Sequence, residues 1–272
     1  MVCVVIISFS IYLGFAGYRQ YDYNQGYTRA LIRAIRSFDD EGLNKLLDKH
    51  KNMDSTPKKL AIFILDDWNR NPLQEAAAIG NYNAVVALVE AGANVNFINS
   101  ITIRTPLIDS LRSSEVNRFL IANYLVDHGA DVHYSITKHG IGNALAESIS
   151  YHGVSMVESY EFFLRMISLD SNPYIYVSPG NIFLKSAFDK HKLVMVYLLE
   201  NEMFDVNAVN EEGFSALMFL ARFTITDINI EMVNILLEHG ADKTLVNEDG
   251  MTAYDYALET GNAELIELLR YE

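Results

Sequence analysis

Any reactive constellation in this chain has to come from a short stock of residues. The single cysteine, Cys3, lies inside an apolar run, which leaves no disulfide framework, no cysteine-based zinc set and no thiol pair for redox work. The 7 histidines are scattered. They never form the His-Glu-x-x-His spacing that sets two imidazoles on one helical face for zinc. His128 and His239 each precede a glycine at the end of a similar apolar run, so both fall in a last helical turn. A histidine there favours the carbonyl end of the helix dipole, which is a structural use. Gly140 and Gly142 are a fragment of a phosphate loop without the further glycine or a preceding strand. Asp66 with Asp67, and Glu211 with Glu212, are paired carboxylates at turn positions, where solvation explains them. No serine elbow supplies a nucleophile. Nothing here assigns acid, base and nucleophile to named residues, and the reading is a non-enzyme with no cofactor and no metal.

The elements that would position these residues follow a regular grammar. Helix-capping residues stand at Asn71, Thr105, Asn143, Asn181, Ser215 and Thr252, at steps of 34, 38, 38, 34 and 37 residues. Two positions after each comes a large apolar residue: Leu73, Leu107, Leu145, Phe183, Leu217 and Tyr254. A period in that range signals a stack of small helical units. Within the clearest unit, Asn71 caps, Pro72 loses no hydrogen bond at the first helical position, and Gly80 ends the first helix. Val85, Val86, Leu88 and Val89 then give a second helix its apolar face, and Gly92 follows as a left-handed cap.

These residues resemble the ankyrin repeat, with its Thr-Pro-Leu helix start (Thr105 to Leu107) and its Leu-Leu-x-x-Gly-Ala-Asp ending. That ending stands at Leu236 to Asp242, and with Val126 for the second leucine at Leu125 to Asp131. The resemblance spans about residues 66–270 and implies an all-α solenoid of about seven stacked helix-turn-helix repeats. It departs from the pattern where Ser168 to Pro173 replaces Gly-Ala-Asp, and where residues 151–159 and 224–230 lengthen the inter-helix stretch. Upstream, residues 30–35 and 43–47 read as a degenerate pair whose Arg29, Arg33, Arg36, Lys45 and Lys49 give the polar outer face of a terminal repeat. The domain reading is an apolar segment at 1–17, a capping repeat and linker at 18–65, and the repeat domain at 66–272.

Residues 2–17 are nearly unbroken apolar sequence. As a helix they would span about 24 Å, short of a ~30 Å hydrocarbon core, which suits a signal peptide better than a full membrane span. No basic residue precedes them, and they would serve as a membrane contact only if retained as an anchor. The expected location is exported, periplasmic or membrane-associated, with the cytoplasm as the alternative. The net charge of −14 is concentrated late: residues 200–272 hold 16 acids against 3 bases. Such a surface repels nucleic-acid backbones, and it would steer a basic protein partner.

If the chain follows the family, it binds another protein through a concave face and through finger turns at 66–70, 97–104, 133–139, 174–178, 209–212 and 247–249. Trp68, Arg70, Phe97, Ile98, Ile101, Ile103, Arg104, Tyr134, Tyr174, Tyr176, Glu211 and Glu212 are the contact candidates, because aromatic anchors dominate interface energetics. The implied function is a non-catalytic protein-binding adaptor. The alternatives are an exported or membrane-tethered inhibitor or protective binder of a basic enzyme, and an effector directed at a host.

Overall fold

Capping side chains and glycine stops divide the chain into helical hairpins. In a computed structural model, the described residues are 26–51, 71–135, 143–150, 155–174, 177–222 and 226–271. They form two compact units, Met1–Asp131 and Val132–Glu272. The first unit holds three hairpins: α1 (26–36) with α2 (Asp40–Lys51), α3 (Pro72–Ala78) with α4 (Tyr82–Glu90), and α5 (Pro106–Leu111) with α6 (Arg118–Asp127). The second holds four: α7 (Ala144–Ser148) with α8 (Met156–Ser168), α9 (Ile182–Phe188) with α10 (Lys192–Glu200), α11 (Ala216–Arg222) with α12 (Asp227–Glu238), and α13 (Ala253–Thr260) with α14 (Ala263–Leu269). Seven hairpins among the described residues match the repeat reading. There is no extended strand among those residues, only single bridges at Ser135–Asn143, Val177–Gly180 and Val209–Ser215.

All six capping residues act as the sequence predicts. Asn71 Oδ1 accepts the amides of Leu73 (2.9 Å) and Gln74 (3.3 Å), and Asn143 and Asn181 accept those of Ala146 (3.0 Å) and Leu184 (2.9 Å). The hydroxyls of Thr105, Ser215 and Thr252 do the same at the starts of α5, α11 and α13. Each such cap stabilises its helix by about 1 kcal/mol, which matters for helices of five to eight residues that would not form alone.

The apolar residues two positions on build the interior. Leu73, Leu107, Leu145, Phe183 and Leu217 are essentially inaccessible, and each contributes roughly 2–3 kcal/mol by burial. Tyr254 is half-buried, its ring edge-on to that of Tyr271 at 6.1 Å. First helices pack on first helices (α3 on α5, α9 on α11, α11 on α13), and second helices likewise on second helices. Ala76, Ala77 and Ala187 permit that close approach.

Polar ties fix the register of neighbouring hairpins. Asn96 Nδ2 donates to Gly129 O (2.9 Å) while its Oδ1 accepts Asp131 N–H (2.7 Å). Asn207 repeats the clamp on Gly240 O (3.4 Å) and Asp242 N–H (2.7 Å). His128 and His239 each donate Nδ1–H to the carbonyl four residues back, Tyr124 and Ile235, at 2.8 Å. Their role is therefore the helix-end use read from the sequence, made through a direct hydrogen bond.

Candidate functional site

Among the described residues, the turns at Asn99, Asn210 and Asn247, each joining one hairpin to the next, are held by the asparagine side chain. Asn210 Oδ1 accepts the amides of Glu212 (3.1 Å) and Phe214 (2.8 Å), and Asn247 Oδ1 those of Asp249 (3.1 Å) and Met251 (2.9 Å). A backbone bond closes each turn, Asn210 N–H to Phe214 O and Asn247 N–H to Met251 O, both 3.1 Å. Glu248 N–H donates to Glu212 O at 3.1 Å, which places these two fingers side by side in the second unit. Glu211 and Glu212 are exposed at the tip, as expected of solvated turn carboxylates.

In the first unit, Asn99 holds the corresponding finger through the amides of Ile101 (2.9 Å) and Thr102 (3.0 Å). This turn contains one residue more before its capping threonine, and Ile103 takes up the difference with φ +56°. A β-branched side chain is strained in that left-handed region. Beside it, Ile101 is 72% exposed and Ile98 is 47% exposed, while Phe97 is half-buried.

At the base of this finger Arg104 makes an internal pair. Its Nη1 donates to Asp109 Oδ1 at 3.2 Å. Gln74 Nε2 donates both to Arg104 O (2.8 Å) and to Asp109 Oδ2 (2.9 Å). Burial pushes the Asp109 carboxyl up to about 6, against the attraction of Arg104. The pairing with Asp109, which charge at a turn tip gave no hint of, makes Arg104 a brace for the finger.

The other described candidates belong to the second unit. Tyr134 is half-buried in the second unit. Tyr174 is exposed, yet its ring stands 5.3 Å from that of Phe204, which in turn lies 6.3 Å from Phe183. Val209, inside a finger expected from the sequence, and Val246 each stand just before a finger asparagine and are also exposed, though neither is among the contact candidates. Trp68, Arg70 and Tyr176 lie outside the described residues, as do the apolar segment 2–17 and the glycines 140 and 142.

One serine–histidine pair does come together. His191 Nε2 donates to Ser159 Oγ at 2.8 Å, and Ser159 in turn donates to Ser148 O at 2.5 Å. Both side chains are buried, and the serine proton points at a carbonyl rather than at the imidazole. The pair therefore ties α7, α8 and α10 together. Among the described residues no group of His, Cys, Asp or Glu is arranged to hold a metal ion. Among them, too, no helix is long and apolar enough to cross a membrane.

The family model described as ankyrin repeats (3 copies) matches residues 31–135 and 183–272. Among solved structures, the chain is similar to a chain of the complex between the predatory endopeptidase Bd0816 of Bdellovibrio bacteriovorus and the immunity protein Bd3460. That match has 25% identity, covers 72% of this chain and 95% of that one, and has a TM-score of 0.57. The human ASB11 ankyrin repeat domain matches over 88% of this chain and 95% of its own, with a TM-score of 0.66. At 20% identity, that likeness shows the fold alone. No curated protein sequence matches the chain.

Proposed function

This chain belongs to the ankyrin repeat family, whose repeats are protein-interaction modules, and from that premise we propose a non-catalytic binder that grips one protein partner with its fingers. The finger at 97–104 carries the reading. It holds Ile98 and Ile101 out to solvent on a turn strained at Ile103 and braced by Arg104, Asp109 and Gln74. A solvated loop needs neither the exposed isoleucines nor the brace. An apolar anchor kept rigid by its support loses little entropy on binding. The acidic second unit adds attraction for a basic surface.

The test begins with affinity capture of the partner from the native source. Replacing Ile98 and Ile101 together by Asp should then weaken the purified pair at least about a hundredfold, the loss of a hot-spot pair. Far-ultraviolet circular dichroism should be unchanged. Unaltered affinity would put the contact on another surface.

A second reading has its own support in the likeness to the endopeptidase–immunity complex. It is a protective binder of a basic enzyme, exported or tethered through residues 2–17. Mass spectrometry of the mature N-terminus checks the export step, and a soluble cytosolic form with Met1 intact counts against it. Inhibition of the captured partner's activity by the purified chain separates this role from that of an adaptor.

A further inference from the structure

The ends of the hairpins opposite the fingers, in the second unit, carry a feature that partner binding through the fingers does not use. A cavity of about 520 Å³ opens between the turn joining α9 to α10 and the starts of α8 and α12. Met156 opens α8, and Thr226 and Ile228 stand at the start of α12, the second helices of the two hairpins whose sequences depart from the repeat pattern. Met156, Phe188 and Ile228 are its apolar walls, and Asp189, Lys190 and Thr226 are its polar groups.

The walls are fixed. The Ser148–Ser159–His191 chain of hydrogen bonds ties the start of α8 to the start of α10. Lys192 pairs with Glu231 at 2.7 Å and ties α10 to α12. The ring of Phe188 rests edge-on against Phe219 at 5.6 Å. Thr226 is engaged with Asn229 Oδ1 at 2.7 Å, and Asp189 is held by Lys185 at 2.7 Å.

Lys190 is the cation of the cavity, and its backbone is strained at φ +57°. At the equivalent place, immediately before the N-cap of a second helix, two other hairpins use glycine: Gly80 at φ +72° and Gly261 at φ +69°. Glycine adopts that conformation without strain, so the turn alone does not call for a lysine.

We propose that this cavity is a binding site for a singly charged, amphipathic carboxylate, with its apolar body against Met156, Phe188 and Ile228 and its carboxylate on the Lys190 ammonium. An ammonium has three N–H donors, so a ligand oxygen can join a partner the amine already has. The volume suits a ligand of about ten to twenty heavy atoms. The chain's charge of −14 disfavours polyanions such as nucleotides and leaves the monocarboxylate. Partial burial lowers the amine's pKa, and an incoming carboxylate would offset that desolvation.

The probe is 2-naphthoate, titrated into the full ¹⁵N-labelled chain and followed by amide shifts. Saturable shifts are expected at residues 188–191 and 226–228. Its neutral counterpart, 2-naphthamide, should bind about tenfold more weakly or worse, the effect of losing one charge-assisted bond. The decisive variant is Lys190→Gly, which relieves the backbone and removes the amine. Its melting temperature should equal or exceed that of the parent, while naphthoate affinity falls about tenfold or more. Lys190→Arg should retain binding, and Ile228→Asp should abolish it. Absence of saturable shifts, shifts confined to other residues, or full affinity in Lys190→Gly each overturns the site. A peptide ending in Phe-Leu, with a free or an amidated C-terminus, separates the two sources of such a carboxylate. Displacement of naphthoate by the free acid alone identifies a protein chain end, and failure of both peptides identifies a small molecule.

Discussion

Asp109 shows how one residue couples the finger to pH. Its pKa is raised from 3.8 to about 6, chiefly by burial, with Arg104, the Gln74 hydrogen bond and Arg112 pulling the other way. The folded value stands above the unfolded one, so the native state binds this proton more tightly. Stability from this group is therefore complete below pH 3.8 and is lost as pH rises through about 6, a difference of about 3 kcal/mol. The titration of its carboxyl carbon by NMR should have a midpoint near 6, and Arg104→Met should raise it further by removing the largest opposing charge. A midpoint near 4 in the parent would mean that the carboxyl is solvated and the finger base open. None of this was readable beforehand. Arg104 looked like an exposed turn cation because its partner lies five residues on, in the next helix, and Gln74 reaches both across 30 and 35 residues of sequence.

At the scale of the element, the hairpins were legible because their signals are local. A cap, a proline after it, an apolar pair and a terminal glycine all act within about ten residues, so each can be read without knowing the partner helix. The fingers were legible as turns but not as surfaces, since exposure depends on what the neighbouring finger covers. Gly213 shows the difference. Both Gly129 and Gly213 take left-handed φ, +85° and +80°. A β-carbon on Gly129 would meet nothing within 4 Å, whereas one on Gly213 would stand 2.9 Å from the backbone of Asn247. Gly129→Ala should therefore cost about 1 kcal/mol, the strain alone, and Gly213→Ala about 2 kcal/mol or more, because the adjacent finger must shift. Urea unfolding at unchanged slope checks both values. Equal losses would show that the fingers at 210–213 and 247–250 are not in register through Glu248 and Glu212.

For the whole molecule, composition decides more than contacts do. The acids of residues 200–272 lie mostly on exposed positions, among them Glu202, Glu211, Glu212, Glu248, Asp249, Glu264 and Glu267. Exposed ion pairs and lone surface acids add little to stability, so the excess has its effect at long range. Screening fixes the sign and size of that effect: the Debye length falls from about 10 Å at 0.1 M salt to about 4 Å at 0.5 M. If the proposed isoleucine contacts hold a basic partner, association should slow by about tenfold or more between those conditions, while dissociation should change by less than about twofold. Neutralising Glu211, Glu212, Glu248 and Asp249 to the amides should flatten the salt dependence and leave the half-life of the complex intact. If surface plasmon resonance instead placed the salt effect on dissociation, these carboxylates would sit in the contact itself, and the grip would have moved from the 97–104 finger to the acidic tips.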